Sequence, residues 1–150
     1  MGSIEFRVGD LFGASDADAL AHGCNCAGAM GRGIAVEFKR RWPLMYKEYQ
    51  TLCRDGKFGV GGAFPWRTPE GLLIYNLGTQ AHWRVGAELS GVVAAVKAML
   101  DHAAEHDVRR IAMPRIAAGL GGLDWQVVRT AITPIVEASQ SDVFVYELRN

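Results

Sequence analysis

Apolar positions along the chain follow two rhythms that alternate with one another. Ile4, Phe6 and Val8 are interleaved with Glu5 and Arg7, the period of a strand with one buried face, and Gly9-Asp10-Leu11-Phe12 follows as a turn. Ala19-Leu20-Ala21-His22 reads as a buried strand. Helical spacing opens with Ile34, Val36 and Phe38 and runs from Gly33 to Arg41, where Pro43 stops it at Trp42. Leu44 to Cys53 makes a further short helix, ended by Asp55-Gly56, and the glycine-rich Phe58 to Trp66 reads as a weak strand with loops. Gly71 to Gly78 is nearly continuous in apolar residues, which fits a strand buried on both faces. Leu89, Val92, Val93, Val96, Met99, Leu100 and Ala103 then repeat as one long amphipathic helix. Val108 to Met113 is another strand, Val127 to Val136 a last helix that Pro134 can kink, and Val143 to Leu148 a closing strand. This alternation predicts a single domain over residues 1–150, a three-layer α/β/α sandwich around a mixed, mostly parallel sheet.

Two of the strand-to-helix junctions carry unusual amounts of glycine. The first runs from Gly23-Cys24-Asn25 through Gly28, Met30, Gly31, Arg32 and Gly33 to Ile34. Its glycines let backbone N–H groups crowd toward a ligand, and an anion such as phosphate is the favoured guest. The spacing is neither the G-x-G-x-x-G of a dinucleotide fingerprint nor a Walker loop, and by itself such a junction serves equally well as a tight turn. The second junction, Pro114-Arg115-Ile116-Ala117-Ala118-Gly119-Leu120-Gly121-Gly122-Leu123-Asp124-Trp125, leads into a helix that Asp124 is suited to cap. Ligands of open parallel sheets sit beyond the carboxyl ends of strands, so two such loops can close over one diphosphate from opposite sides. The polar and aromatic stretch Thr79-Gln80-Ala81-His82-Trp83-Arg84 is expected as a loop at the carboxyl end of the central strand, where α/β folds keep their chemistry.

Composition narrows the picture further. Sixteen basic residues balance sixteen acidic ones, which argues against wholesale electrostatic binding of nucleic acid or membrane and leaves a local patch at Arg32, Lys39, Arg40 and Arg41. No apolar run approaches a bilayer span, and three cysteines suit a reducing compartment better than a disulfide framework, so a cytoplasmic monomer is expected. His22, Cys24 and Cys26 alternate as strand neighbours, but C-x-C is not a zinc spacing and a fourth ligand is missing; buried small side chains explain them better. His102 and His106 are read as a solvated helix face. No metal or cofactor is expected.

The two glycine loops, together with Gly9-Asp10-Leu11-Phe12, Met30-Gly31-Arg32-Gly33-Ile34-Ala35 with Phe38-Lys39, and Pro114-Arg115-Ile116 before Gly119-Leu120 and Trp125, resemble a macrodomain. The resemblance is to the group containing the terminal ADP-ribose protein glycohydrolase and the antitoxins that remove ADP-ribose from DNA, and it covers Gly9 to Leu148. It implies that Asp10 binds the adenine amine with the Leu11 backbone beside the ring. It also implies that Met30, Gly31, Arg32, Gly33 and Ile34 line the first phosphate loop, and that Ala118, Gly119, Leu120, Gly121 and Gly122 serve the diphosphate and distal ribose. Asn25 falls near the distal ribose and Tyr146 beside the adenine. Where the glycohydrolases carry a catalytic lysine this chain has Gln80, and where they carry an aspartate it has Gly121. The expected function is an ADP-ribosyl hydrolase acting on an acidic side chain or a nucleobase, with Gln80 positioning water. The alternatives are a non-catalytic reader of ADP-ribose, a phosphatase of ADP-ribose 1″-phosphate, or a plain nucleotide-binding domain. The partner is ADP-ribose or an ADP-ribosylated protein or nucleic acid.

Overall fold

A computed structural model describes residues 1–147. Its strands are β1 (Ile4–Val8), β2 (Ala19–Asn25), β3 (Ala63–Arg67), β4 (Leu73–Gln80), β5 (Arg110–Pro114) and β6 (Asp142–Glu147). The helices are α1 (Ala35–Arg41), α2 (Pro43–Arg54), α3 (Leu89–Glu105) and α4 (Trp125–Glu137). The sheet order is β1-β6-β5-β2-β4-β3, parallel throughout except for β3, which runs antiparallel to β4 at one edge. Pro65 is tolerated in β3 because an edge strand leaves one side of its backbone unpaired. Leu148, expected in the last strand, lies outside the described residues.

Strand residues alternate between two cores. Ala19, Ala21, Tyr75, Leu77, Ile111, Met113, Val143 and Val145 face α3 and α4, meeting Val92, Val96, Met99, Val128 and Ile132. Leu20, Ile74, Ala112 and Phe144 face the other way, onto Leu11, Phe38 and Met45. All eight residues of β4 are buried, as its apolar run predicts. The first strand departs from expectation: β1 is the other edge of the sheet, Phe6 and Val8 are exposed, and the Arg129 guanidinium lies 4.2 Å from the Phe6 ring centre.

Chain direction sets the position of the cleft. From β2 the chain continues to β3 and β4 on one side, whereas from β5 it moves to β6 on the other, so β2 and β5 flank the point where strand order reverses. Their pairing is limited to Ala19 with Ile111 and Leu20 with Ala112, and the two strands part beyond it. Both glycine-rich loops leave from the carboxyl ends of these two strands. The β2–β4 register also slips between Cys24 and Asn25, so that Cys24 opposes Gly78 and Asn25 opposes Gln80. Such a bulge re-aims side chains at a sheet rim, and here it sets Asn25 beside Gln80. Thr79 and Gln80, expected to open a loop, are the last two residues of β4, because β2 continues to Asn25 and keeps them paired.

Candidate functional site

Beyond the strand ends lies a cleft of about 770 Å³, walled by the two glycine loops, the rim of β4 and the end of β6. The first loop is folded by side chains. Asn25 Oδ1 accepts the N–H groups of Ala27 (3.0 Å) and Ala29 (3.3 Å), while its Nδ2 donates to the Ala29 carbonyl at 2.7 Å. The Tyr49 hydroxyl sits 2.7 Å from the Asn25 carbonyl and 2.9 Å from Asn25 Oδ1. Burial, foremost, raises the pKa of Tyr49, so it stays a donor. Tyr46 and Gln50 both donate to the Gly28 carbonyl at 3.2 Å. Among the described residues, the N–H groups of Gly31, Arg32, Gly33 and Ile34 donate to no protein atom, and no side chain caps α1 at Ile34. They are open donors at the cleft wall.

The second loop is folded by its own backbone. Leu123 N–H donates to Ala117 O (2.9 Å), Gly122 N–H to Gly119 O (3.1 Å) and Ala118 N–H to Arg115 O (3.3 Å). Ala117 adopts φ +63°, the left-handed region that an alanine enters only under constraint. Gly121 is required for a different reason: a Cβ there would lie 2.6 Å from the Ala117 carbonyl oxygen. The N–H groups of Gly119, Leu120 and Gly121 have no protein acceptor among the described residues. Asp124 caps α4 by accepting from Gln126 N–H at 2.8 Å, as its place in the sequence predicts. The two loops approach each other where Gly33, at φ +63°, faces Leu120; a Cβ on Gly33 would sit 3.1 Å from Leu120 Cδ1.

Gln80 lines the cleft with its amide already engaged. Nε2 donates to the carbonyls of His82 (3.1 Å) and Val85 (2.7 Å), which uses both amide hydrogens and leaves Oε1 as the remaining polar atom. At the opposite end, Tyr146 lines the cleft and its hydroxyl is 3.2 Å from Arg7 Nη1. That bond is the main cause of the raised Arg7 pKa, and the same guanidinium is held by Asp16 and lies 3.8 Å from the Phe144 ring centre.

Of the residues expected at the site, Asn25, Gly31, Arg32, Gly33, Ile34, Gln80, Ala118, Gly119, Leu120, Gly121 and Tyr146 share the one cleft. Four do not line it. Met30 turns inward and packs with Cys24, Tyr49 and Phe58, so its side chain supports the loop from beneath. Leu11 is fully buried in the core next to α1, and Asp10 is exposed with Oδ1 accepting Phe12 N–H at 3.0 Å, the turn-fixing bond common for aspartate. Gly122, at φ +77°, turns the second loop without facing the cleft. The cleft also contains Thr79, Trp83, Arg115 and Trp125, which were not singled out as binding residues. For Trp83 and Thr79 the signal is their place at the carboxyl end of an apolar central strand.

The histidines and cysteines are accounted for by packing. His22 is buried, stacks on Phe38 with ring centres 3.8 Å apart, and lies with Nε2 2.7 Å from Asn76 Oδ1. Burial lowers its pKa to about 4. Burial likewise pushes Cys26 up to about 11 and raises Cys24 well above the usual thiol range, so neither is a ready thiolate. His102 is more than a solvated residue, since its Nδ1 is 2.7 Å from the Tyr75 hydroxyl.

Comparison with known proteins agrees with this geometry. The Macro domain family matches residues 21–132. The DNA ADP-ribosyl glycohydrolase of Mycobacterium tuberculosis is 34% identical over 149 residues, covering 95% of this chain and 42% of that protein, so the chain spans about two fifths of its relative's length. Human ADP-ribose glycohydrolase OARD1 is 30% identical over 145 residues, covering 97% of this chain and 91% of that protein. The solved macrodomain of Mycobacterium tuberculosis DarG superposes with a TM-score of 0.89 at 33% identity over 97% of this chain and 98% of its own. The Thermus aquaticus DarG macrodomain gives 0.88 at 34% identity over 98% and 99%. With its strand order, its pair of glycine loops at the reversal point and these matches in agreement, the chain belongs to the macrodomain family.

Proposed function

We propose that this macrodomain is an ADP-ribosyl hydrolase that releases ADP-ribose from an acidic side chain or a nucleobase. The observation that carries the reading is the pair of loops whose unpartnered N–H groups wall one cleft from both sides, an arrangement suited to a diphosphate with a sugar at each end. The names of its relatives, DNA ADP-ribosyl glycohydrolase and ADP-ribose glycohydrolase, support the same reading.

The chemistry proceeds without a lysine. Gln80 neither titrates near neutral pH nor attacks carbon, so a covalent intermediate through it is excluded. Its remaining Oε1 accepts a hydrogen bond from water, holding that water beside the anomeric carbon. A substrate phosphate takes up the proton as water adds, and a carboxylate departs with little acid assistance. The cleft's contribution is mainly placement. Gln80→Ala is therefore expected to lower kcat by about 10 to 100-fold with ADP-ribose affinity nearly unchanged.

One observation favours the reader as a second reading: Gln80, its strand neighbour Asn25, and Thr79 and Trp83, which also line the cleft, carry no side chain that titrates near neutral pH. Incubation with glutamate-linked, serine-linked and DNA-linked ADP-ribose decides between them. Release from the glutamate or DNA linkage supports the hydrolase. Tight ADP-ribose binding with no release from any linkage assigns the chain to the readers.

A further inference from the structure

The turn after β4 holds a large flat apolar surface where a cleft would ordinarily bury it. Trp83 lines the cleft yet remains 46% exposed, and its ring is stacked on His82 with centres 3.7 Å apart and planes 29° apart. The stack is held in place from several directions. His82 Nδ1 accepts Arg84 N–H at 3.1 Å, Val85 N–H donates to His82 O at 3.1 Å, and Gln80 Nε2 donates to the carbonyls of His82 and Val85. Farther along, Ala87 N–H donates to Gly121 O at 2.9 Å and Glu88 N–H to Thr79 O at 3.2 Å, which ties the turn to both the second loop and β4. An indole with so constrained a backbone is a fixed shelf.

Charge at the cleft mouth indicates the occupant. Arg84, beside Trp83, and Arg32, on the first loop, are exposed and form no ion pair among the described residues. An exposed π-face in a cleft that the unpaired Arg32 also lines, with Arg84 next to it in the chain, combines what binds single-stranded nucleic acid, where bases stack and phosphodiesters meet cations. An acidic amino-acid side chain has no flat face to place there. We propose that the His82–Trp83 stack is an aglycone shelf, on which a nucleobase carrying ADP-ribose lies while the diphosphate occupies the two loops. The shelf rests on the ADP-ribose reading above and selects, within it, nucleic acid over protein.

The test compares the wild-type chain with Trp83→Ala and Trp83→Phe. Affinities are measured for free ADP-ribose, an ADP-ribosylated single-stranded DNA oligonucleotide and a glutamate-linked ADP-ribosyl peptide. Stacking predicts that in Trp83→Ala the ratio of oligonucleotide affinity to ADP-ribose affinity falls about tenfold or more, that the peptide ratio does not follow, and that Trp83→Phe recovers most of the loss. An oligonucleotide ratio within twofold of wild type, an equal fall for the peptide, or no recovery with phenylalanine overturns the shelf. Because the ratios need no turnover, a wild type that binds ADP-ribose without hydrolysing it refutes the hydrolase reading and leaves the shelf to be decided by binding. A wild type that fails to bind ADP-ribose overturns both.

Discussion

The two glycine loops meet one cleft, yet they are built on opposite principles. The first is held from beneath by side chains: Asn25 bonds three backbone groups of its own loop, and Tyr46, Tyr49 and Gln50 of α2 bond its carbonyls. The second is held by its own main chain, with Ala117 in a left-handed conformation and its carbonyl accepting Leu123 N–H. The first loop can therefore be loosened by changing a residue that touches no ligand, whereas the second is disturbed chiefly by changing its own backbone. The difference also separates two uses of glycine. Gly33 is needed for its positive φ, while Gly121 is needed because Ala117 lies against it.

The largest expected effect comes from adding a side chain where the second loop packs on itself. In Gly121→Asp the new Cβ meets backbone at 2.6 Å, and only movement of the loop relieves it. We expect ADP-ribose affinity to fall at least about 100-fold and stability by roughly 1–3 kcal/mol, read by calorimetry and thermal melting. The aspartate that the family resemblance implies at this position therefore cannot be supplied by this one substitution. Gly119→Ala is the control, since nothing lies within 4 Å of its Cβ; it is expected to melt like the wild type. A Gly121→Asp protein that melts and binds normally would mean that the second loop is not self-packed.

Acid should act on the first loop. His22 lies beneath it, stacked on Phe38 of α1, and burial holds its folded pKa at about 4, below the value near 6.5 of an unfolded chain. The unfolded state thus binds the proton more readily. The stability is complete above about pH 6.5 and is lost as pH falls toward 4, by roughly 3 kcal/mol across that window. Hydrogen exchange should show α1 and the first loop opening before the second. A His22→Gln variant with the same acid profile would assign the loss to other groups.

Asn25→Ala removes the central support of the first loop. Ala27 and Ala29 N–H lose their acceptor and the Tyr49 hydroxyl loses one of its partners, at a cost of about 1–2 kcal/mol and a drop in ADP-ribose affinity of similar size. The same substitution should leave amide protection of residues 116–123 unaltered. Equal loosening of both loops would show that the two are coupled through Gly33 and Leu120.

How far each region was legible in the sequence follows from the same contrast. The alternation of apolar rhythms predicts the layers, and the buried run of β4 and the Asp124 cap appear where expected. The existence of both loops was readable because glycine marks them. Their internal support was not, because the bonds run between residues distant in sequence, Tyr49 to Asn25 for instance, and because an alanine at φ +63° carries no compositional mark. Gln80 shows the limit most clearly. Its residue type excludes a nucleophile, but only coordinates reveal that its amide donors hold the turn bearing Trp83. The exposed face of β1 is not legible for a related reason, as alternation does not tell a covered edge strand from an open one.

The smallest expected effect tests whether the left-handed alanine is a constraint that the second loop uses. Holding Ala117 at φ +63° costs about 1–2 kcal/mol, whereas a glycine enters that region freely but adds about 0.5–1 kcal/mol of chain entropy to the unfolded state. The balance makes Ala117→Gly neutral to slightly stabilising, by up to about 1.5 kcal/mol. The ligand-free loop, however, gains conformations it did not have, and binding must then remove them. ADP-ribose should bind about two to threefold more weakly to a protein that melts at the same temperature or slightly higher. Stability and affinity moving in opposite directions is the signature of a loop pre-organised by its backbone. Ala117 also packs partly against the core formed with α3 and α4, so a fall in melting temperature would mean that its methyl contact outweighs the strain. In that case the second loop, like the first, would be held mainly by side-chain packing.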